Sequence, residues 1–224
     1  MTTTFAFDVY GTLIDTAGVS VQLEKLIGNK AISFSDRWRD KQLEYSFRRG
    51  LMQDYENFAV CTKDALDHTD AVFQTALTQT QKQLLLDSYR VLPAFDDVVS
   101  SLELLQKKGA RMFAFSNGAA SAVEGLLKNA EIQHFFVDIV STDEIQSFKP
   151  NPAVYQHFLN RAGSKAEDTW LISSNPFDVL GSLTAGFHSA WLQRSATAIF
   201  DPWGTKPKKP STVIHSLSDL QPLA

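Results

Sequence analysis

Along "TFAFDVY", residues 4–10, Phe5, Phe7 and Val9 alternate with Ala6 and Asp8. That period of two predicts a buried strand, and "YGT" supplies the turn that ends it. The segments "RMFAFSN", "FVDIVST" and "TWLISSN" carry the same signal, "SAWLQ" reads as a fifth strand, and a last one falls near Val213 and Ile214. After Arg111 the segments between strands take helical spacing: "AASAVEGLLKNA", "NPAVYQHFLNRAG" and "NPFDVLGSLTAG". Gly closes two of them, as a C-terminal cap does. Strands alternating with helices of this length predict parallel pairing and right-handed crossovers. In such sheets reactive groups collect at the carboxyl ends of the strands.

The interval from Thr16 to Leu92 follows another pattern. It reads as helix after helix, "SVQLEKLIG", "FSDRWRDKQLEYSFRRGLM", "YENFAVCTKDALDHT" and "TQKQLLLDSYRVL", with no strand between them. The prediction is a helical insertion after the first strand, with Pro93 marking the return. The tail "DPWGTKPKKPSTV" is rich in Pro, Gly and Lys, which predicts a surface loop with solvated lysines. No internal repeat or low-complexity segment interrupts the chain.

Composition narrows the partners. The 224 residues can bury a sizeable core, and 44% apolar with 21% charged residues is ordinary for a globular protein. A net charge of -4, with no basic stripe, argues against nucleic acid as a partner. An anionic substrate would need a local cationic pocket. Cys61 is the single cysteine, so no intramolecular disulfide forms, and its setting in "NFAVCTKDAL" suits a half-buried structural residue. No run is long enough to span a bilayer, and "MTTTFAFD" has no basic region of a signal peptide, so the expected address is the cytoplasm, with no membrane partner.

Each main strand segment ends in polar residues: Asp8 to Thr12, then Ser116 with Asn117 and Gly118, then Ser173 through Asp178. "SFKP" sets Lys149 after the third. Singly, these are turns, or helix starts with Pro in the first turn. Four on successive strands predict one active-site crevice.

In order and spacing, "DVYGT", "SNG", "FKP" and "SSNPFD" resemble the four motifs of the haloacid dehalogenase (HAD) superfamily. The resemblance implies an α/β fold: a Rossmann-like HAD core with a parallel sheet, residues 1–15 and 93–224, and an inserted helical cap domain over 16–92. Most members are similar to phosphatases, with a second Asp two residues after the nucleophile that serves as acid/base in a magnesium-holding motif. Here Tyr10 holds that place, and an aromatic there resembles the L-2-haloacid dehalogenases. "RWRDKQLEYSFRRGLM" is similar to the cap segment whose arginine contacts substrate, with Arg39 at the matching position. Ser173, Asn175 and Asp178 match the last motif, and Tyr155 matches a further pocket residue. Phe177 stands where tryptophan is frequent and Phe148 where tyrosine is frequent, which bears on pocket size.

The implied reaction turns an L-2-haloacid into a D-2-hydroxy acid. Asp8 is expected to attack C2 and form an ester, with Thr12, Ser173, Asn175 and Lys149 as the donors that keep it ionised. Ser116, Asn117 and backbone N–H groups at a helix start would hold the substrate carboxylate. Arg39, helped by Asn117, would receive the halide. Asp178, oriented by Lys149, would activate the water that cleaves the ester, with backbone N–H groups such as that of Tyr10 at the oxyanion. Tyr10, Phe58, Tyr155 and Phe177 would exclude water, although Phe58 reads equally as core. No metal or cofactor is expected: Lys149 can neutralise the Asp8–Asp178 pair, and His68, His134, His157, His188 and His215 show no zinc spacing. A homodimer is implied, with the cap as a contact surface. The competing enzyme reading is a magnesium-dependent phosphatase, against which Tyr10 speaks. A phosphonate-cleaving relative would need a cap lysine, for which Lys41 is a poor match. A degenerate binding module would not need Asp8, Lys149 and Asp178 intact.

Overall fold

The structure is a computed structural model that describes residues 3–201 and 207–223. Six strands, β1 (Thr4–Asp8), β2 (Arg111–Ser116), β3 (Asp138–Ser141), β4 (Thr169–Ser173), β5 (His188–Leu192) and β6 (Thr212–Ile214), form one sheet in the order β3-β2-β1-β4-β5-β6. Every pairing is parallel. Helices cover both faces, so β1 is buried at all five positions, Ala6 and Asp8 included. The chain leaves β1 towards β2 on one side and returns to β4 on the other. A ligand crevice is expected where the order reverses, at the carboxyl end of β1.

Strand ends are shorter than the apolar pattern implies. β1 stops at Asp8 because the amides of Thr12, Leu13 and Ile14 all turn back onto Val9 O, and Gly11 takes a φ of +79° that favours glycine. β3 begins only at Asp138, with Val137 64% exposed before it, and its end passes into a 3₁₀ turn at Thr142–Ile145. The expected loop over 201–213 lies partly outside the described residues, at 202–206.

The helices after β2 are α6 (Ala120–Asn129), α7 (Pro152–Ala162) and α8 (Pro176–Thr184). Gly163 caps α7 in the left-handed region, whereas α8 is capped by Ala185, with Gly186 just beyond it. The sequence reading contains no counterpart of α5 (Val98–Lys107). Its buried residues Val98, Ser101, Leu102 and Leu105 lie on one helical stripe, and it carries the chain into β2.

Between β1 and α5 the chain builds α1 (Gly18–Ile27), α2 (Ala31–Met52), α3 (Phe58–Phe73) and α4 (Gln79–Ser88). Asn57 caps α3 and Thr78 starts α4 with a reciprocal Thr78–Gln81 capping box. Phe34 and Trp38 of α2 are fully buried, each contributing roughly 2–3 kcal/mol of apolar burial. The Trp38 indole also donates to Thr62 O at 2.8 Å, tying α2 to α3. The α2–α3 connection touches the sheet side of the molecule: the Tyr55 hydroxyl bonds Asp143, and its ring centroid lies 5.1 Å from that of Phe148. Among the described residues, no helix is long and apolar enough to cross a membrane.

Candidate active site

Asp8 is the last residue of β1 and is 7% exposed. Its two carboxylate oxygens have different surroundings. Oδ2 accepts from Thr12 Oγ1 at 3.0 Å, Ser173 Oγ at 3.0 Å and Asn175 Nδ2 at 2.7 Å. Among the described residues, Oδ1 accepts from Lys149 Nζ alone, at 3.2 Å. One oxygen is therefore saturated by neutral donors and the other is held only by a long charge-assisted bond.

The first turn after β1 and the start of α8 interlock to fix those donors. Thr12 Oγ1 receives the Ser174 N–H at 2.9 Å, and Ser174 Oγ donates to Gly11 O at 2.8 Å. Asn175 occupies the N-cap position of α8 without capping it, because its amide is turned to Asp8. The Gly11 amide is spent on Ile14 O, and that of Thr12 on Val9 O. The Tyr10 amide has no acceptor among the described residues.

Lys149 is 1% exposed and lies between two carboxylates. Its ammonium donates to Asp178 Oδ2 at 2.7 Å and Phe115 O at 2.8 Å, and sits 4.1 Å from the Phe115 ring centroid. Asn117 Oδ1 holds the Lys149 backbone N–H at 2.9 Å and accepts from Thr142 Oγ1 at 3.2 Å, so its amide nitrogen is directed away from them. Asp178, in the first turn of α8, is fully buried and takes the Tyr155 hydroxyl on Oδ1 at 2.8 Å. Burial pushes the Asp178 carboxyl up to about 6, against the opposing pull of the Lys149 ammonium. Burial and the Asp178 charge push the Tyr155 phenol well above its ordinary value, so it remains a donor.

In front of Asp8 lies a narrow cavity lined by Tyr10, Arg39, Leu43, Phe58, Ser116, Asn117, Lys149, Asn175 and Phe177. Its formal charges are few. Asp8 and Lys149 face it, α2 sends in Arg39, and burial lifts the Tyr10 phenol to about 12, so no acid stands at position 10. The Ser116 oxygen accepts the Gly118 N–H at 3.1 Å, which leaves its own hydrogen free to donate.

All twelve residues singled out from sequence gather around this point, but not all at the cavity wall. Tyr155 is fully buried behind Asp178, and Thr12, Ser173 and Asp178 also lie under the wall. The sequence reading passed over Leu43, which follows Arg39 by four residues on the same helix face. It also passed over Ser174, which locks the Asp8 turn, and Gln42, whose Oε1 accepts from Arg39 Nη1 at 2.7 Å. Phe58, undecided from sequence, both lines the cavity and belongs to a buried cluster with Cys61 and Phe148. Burial pushes the Cys61 thiol up to about 11, which makes it an inert packing group.

A carboxylate at the reversal point of a parallel sheet, bridged by a buried lysine to a second carboxylate beneath inserted helices, defines a hydrolase of the haloacid dehalogenase-like class. The chain belongs to that family, whose model matches residues 2–186. Among individual proteins it is similar to the (S)-2-haloacid dehalogenase of Pseudomonas fluorescens, with 33% identity over 96% of this chain and 92% of that one. It is also 33% identical to haloacetate dehalogenase H-2 of Moraxella sp. (strain B), over 90% of each chain. The structure of L-2-haloacid dehalogenase from Xanthobacter autotrophicus with chloropropionic acid covalently bound superposes with a TM-score of 0.90 at 27% identity, covering 100% of this chain and 98% of that one.

Proposed function

We propose that this protein hydrolyses the carbon–halogen bond of small L-2-haloacids to D-2-hydroxy acids through an ester on Asp8, without a metal. The observation that carries the reading is the unequal binding of the two Asp8 oxygens. Oδ1 attacks C2 from the face opposite the halogen; the C–O bond forms as the carbon–halogen bond breaks, and C2 inverts. Arg39 and the Asn117 amide receive the departing halide, and the Ser116 hydroxyl and neighbouring amides hold the substrate carboxylate. In the ester Oδ2 is the carbonyl oxygen, already facing Thr12, Ser173 and Asn175. Water then adds to the Asp8 carboxyl carbon and passes a proton to Asp178, and the oxyanion develops on Oδ2 within those donors and near the Tyr10 amide. Loss of one such donor typically costs roughly a hundred- to thousand-fold in rate. Collapse expels the D-2-hydroxy acid as its alkoxide, which takes the proton back from Asp178, while the Asp8 carboxyl keeps the water oxygen and releases its proton to solvent. The covalent adduct in the Xanthobacter enzyme, at 27% identity, supports the covalent route here.

Metal independence is supported by the donor set. The Lys149 ammonium already bridges the Asp8 and Asp178 carboxylates, and position 10 offers a neutral phenol. The same phenol weighs against a magnesium-dependent phosphatase. The reading includes residues 16–92 as a cap over a core of 1–15 and 93–224, which the run of α1 to α4 between β1 and α5 supports. It also includes a cytoplasmic homodimer, as the family resemblance implies.

The test is halide release from L- and D-2-chloropropionate with excess chelator, run in heavy-oxygen water. The expected outcome is chloride from the L-isomer only, undiminished by chelator, with label entering the Asp8 peptide after repeated turnovers. Label confined to the product, or activity abolished by the chelator, overturns the reading.

A further inference from the structure

Arg39 brings a positive charge into the cavity, and no carboxylate pairs with it among the described residues. Its hydrogen-bond partner is the neutral Gln42, three residues on and 1% exposed. The Gln42 amide nitrogen donates to Thr62 Oγ1, and the Thr62 hydroxyl donates to Phe58 O at 2.8 Å. A hydroxyl has one hydrogen. Because Thr62 spends its hydrogen on Phe58 O, it can only accept from Gln42. Gln42 must therefore turn its NH₂ to Thr62 and its oxygen to Arg39, so α3 dictates the orientation of an amide on α2.

The choice of an amide has an electrostatic consequence. Glutamate would fill nearly the same volume and bind a guanidinium more strongly. It would also cancel the charge. In a site of low dielectric, a counter-charge at hydrogen-bond distance removes most of the attraction an arginine can exert on a third ion. We propose that Gln42 is the positioning residue for Arg39, fixing its guanidinium in the cavity while leaving the full charge available to the departing halide. This rests on the dehalogenase reading for the identity of the anion, but not for the geometry.

Gln42→Glu and Gln42→Met separate this role from simple structural support. Glu keeps the bond to Arg39 and removes its free charge; Met breaks the bond and leaves the charge. If Gln42 served only to brace α2, Glu would be the milder change. The proposal expects the reverse: Gln42→Glu lowers kcat for L-2-chloropropionate by at least about tenfold and weakens inhibition by bromide, more than Gln42→Met does. Chloride binding is read independently of turnover by ³⁵Cl NMR line broadening, with Arg39→Met as the baseline. Broadening that falls in the order wild type, Gln42→Met, Gln42→Glu supports the proposal. Broadening in Gln42→Glu equal to or above that in Gln42→Met overturns it, even with wild-type dehalogenation intact. Absence of halide release by the wild type overturns the dehalogenase reading, and the chloride order still decides the role of Gln42.

Discussion

Replacing Lys149 by Met removes the one positive charge between two carboxylates that are nearly or fully buried. The ammonium lies 3.2 Å from Asp8 Oδ1 and 2.7 Å from Asp178 Oδ2, so those oxygens are no more than about 6 Å apart. Asp178 already sits up at about 6 with the ammonium in place. That value already includes the repulsion from Asp8, so the substitution changes it through loss of the ammonium's attraction at 2.7 Å, which at an effective dielectric of roughly 20 amounts to at least about 3 kcal/mol, or about two pH units. The pair in Lys149→Met should hold one proton to about pH 8 or higher, and the value belongs to the pair, not to either residue.

The assay is kcat/KM for chloride release across pH 5 to 10, with circular dichroism to verify folding. In the proposed reaction Asp178 must be ionised to take a proton from water. Wild-type activity therefore falls as pH drops through about 6, roughly tenfold per unit below it. In Lys149→Met the acid limb should move up by at least about two units, with residual activity still rising at pH 8. A folded Lys149→Met enzyme whose acid limb stays near pH 6 would refute the charge argument.

Three further substitutions probe the supports behind the site. A Cβ on Gly181 would lie 2.3 Å from the Tyr155 hydroxyl, so Gly181→Ala must push that ring off Asp178. The lost bond favours the ionised carboxylate, and bonds to charged groups contribute about 1.5–3 kcal/mol, so the acid limb should rise by about one unit or more, as it should in Tyr155→Phe. An unchanged pH profile in both variants sinks this account. Arg194 donates to Thr12 O at 2.6 Å and pairs with Asp97 at 2.7 Å, bracing the turn whose Thr12 hydroxyl reaches Asp8. Arg194→Met should lower the melting temperature and reduce kcat about tenfold with little change in KM; an unaltered kcat in the destabilised protein would show that the brace has no part in the chemistry.

Six strands, the helical insertion and the meeting of four motifs were legible because each is written in local periodicity or at a strand end. What lay beyond the sequence was a matter of direction. Asn151-Pro152 and Asn175-Pro176 are the same dipeptide at the starts of successive helices. Asn151 accepts from the Ala153 amide as a cap does, whereas Asn175 leaves its helix uncapped and donates to Asp8. Nothing within a few residues separates the two; the difference arises because Asn175 follows β4, next to β1, where the Asp8 carboxylate competes for its amide. Tyr155 was read as facing substrate for a related reason. Its helix position was legible, but its depth depends on Gly181 admitting its hydroxyl, a contact 26 positions away in sequence.

The arrangement of charge also bears on which anion the cavity suits. Asp8 and Asp178 contribute two negative charges, and Lys149 and Arg39 two positive ones, so the site is formally neutral before substrate enters. A halocarboxylate adds one negative charge and approaches an Asp8 oxygen whose partner atom is bound by three neutral donors. In the proposed route, ester formation would pass the Asp8 charge to the halide, leaving Lys149 paired with Asp178 and Arg39 beside the new anion. At no stage does the site hold more than one uncompensated negative charge. A phosphate monoester dianion would raise that to two in a cavity where burial has already lifted Tyr10 to about 12, so that position 10 offers neither a phenolate nor a carboxylate to help bind a compensating cation. The neutral Tyr10 thus fits a monoanion for the same electrostatic reason that the neutral Gln42 fits Arg39: each occupies a place where an acid would redirect the positive charge away from the substrate.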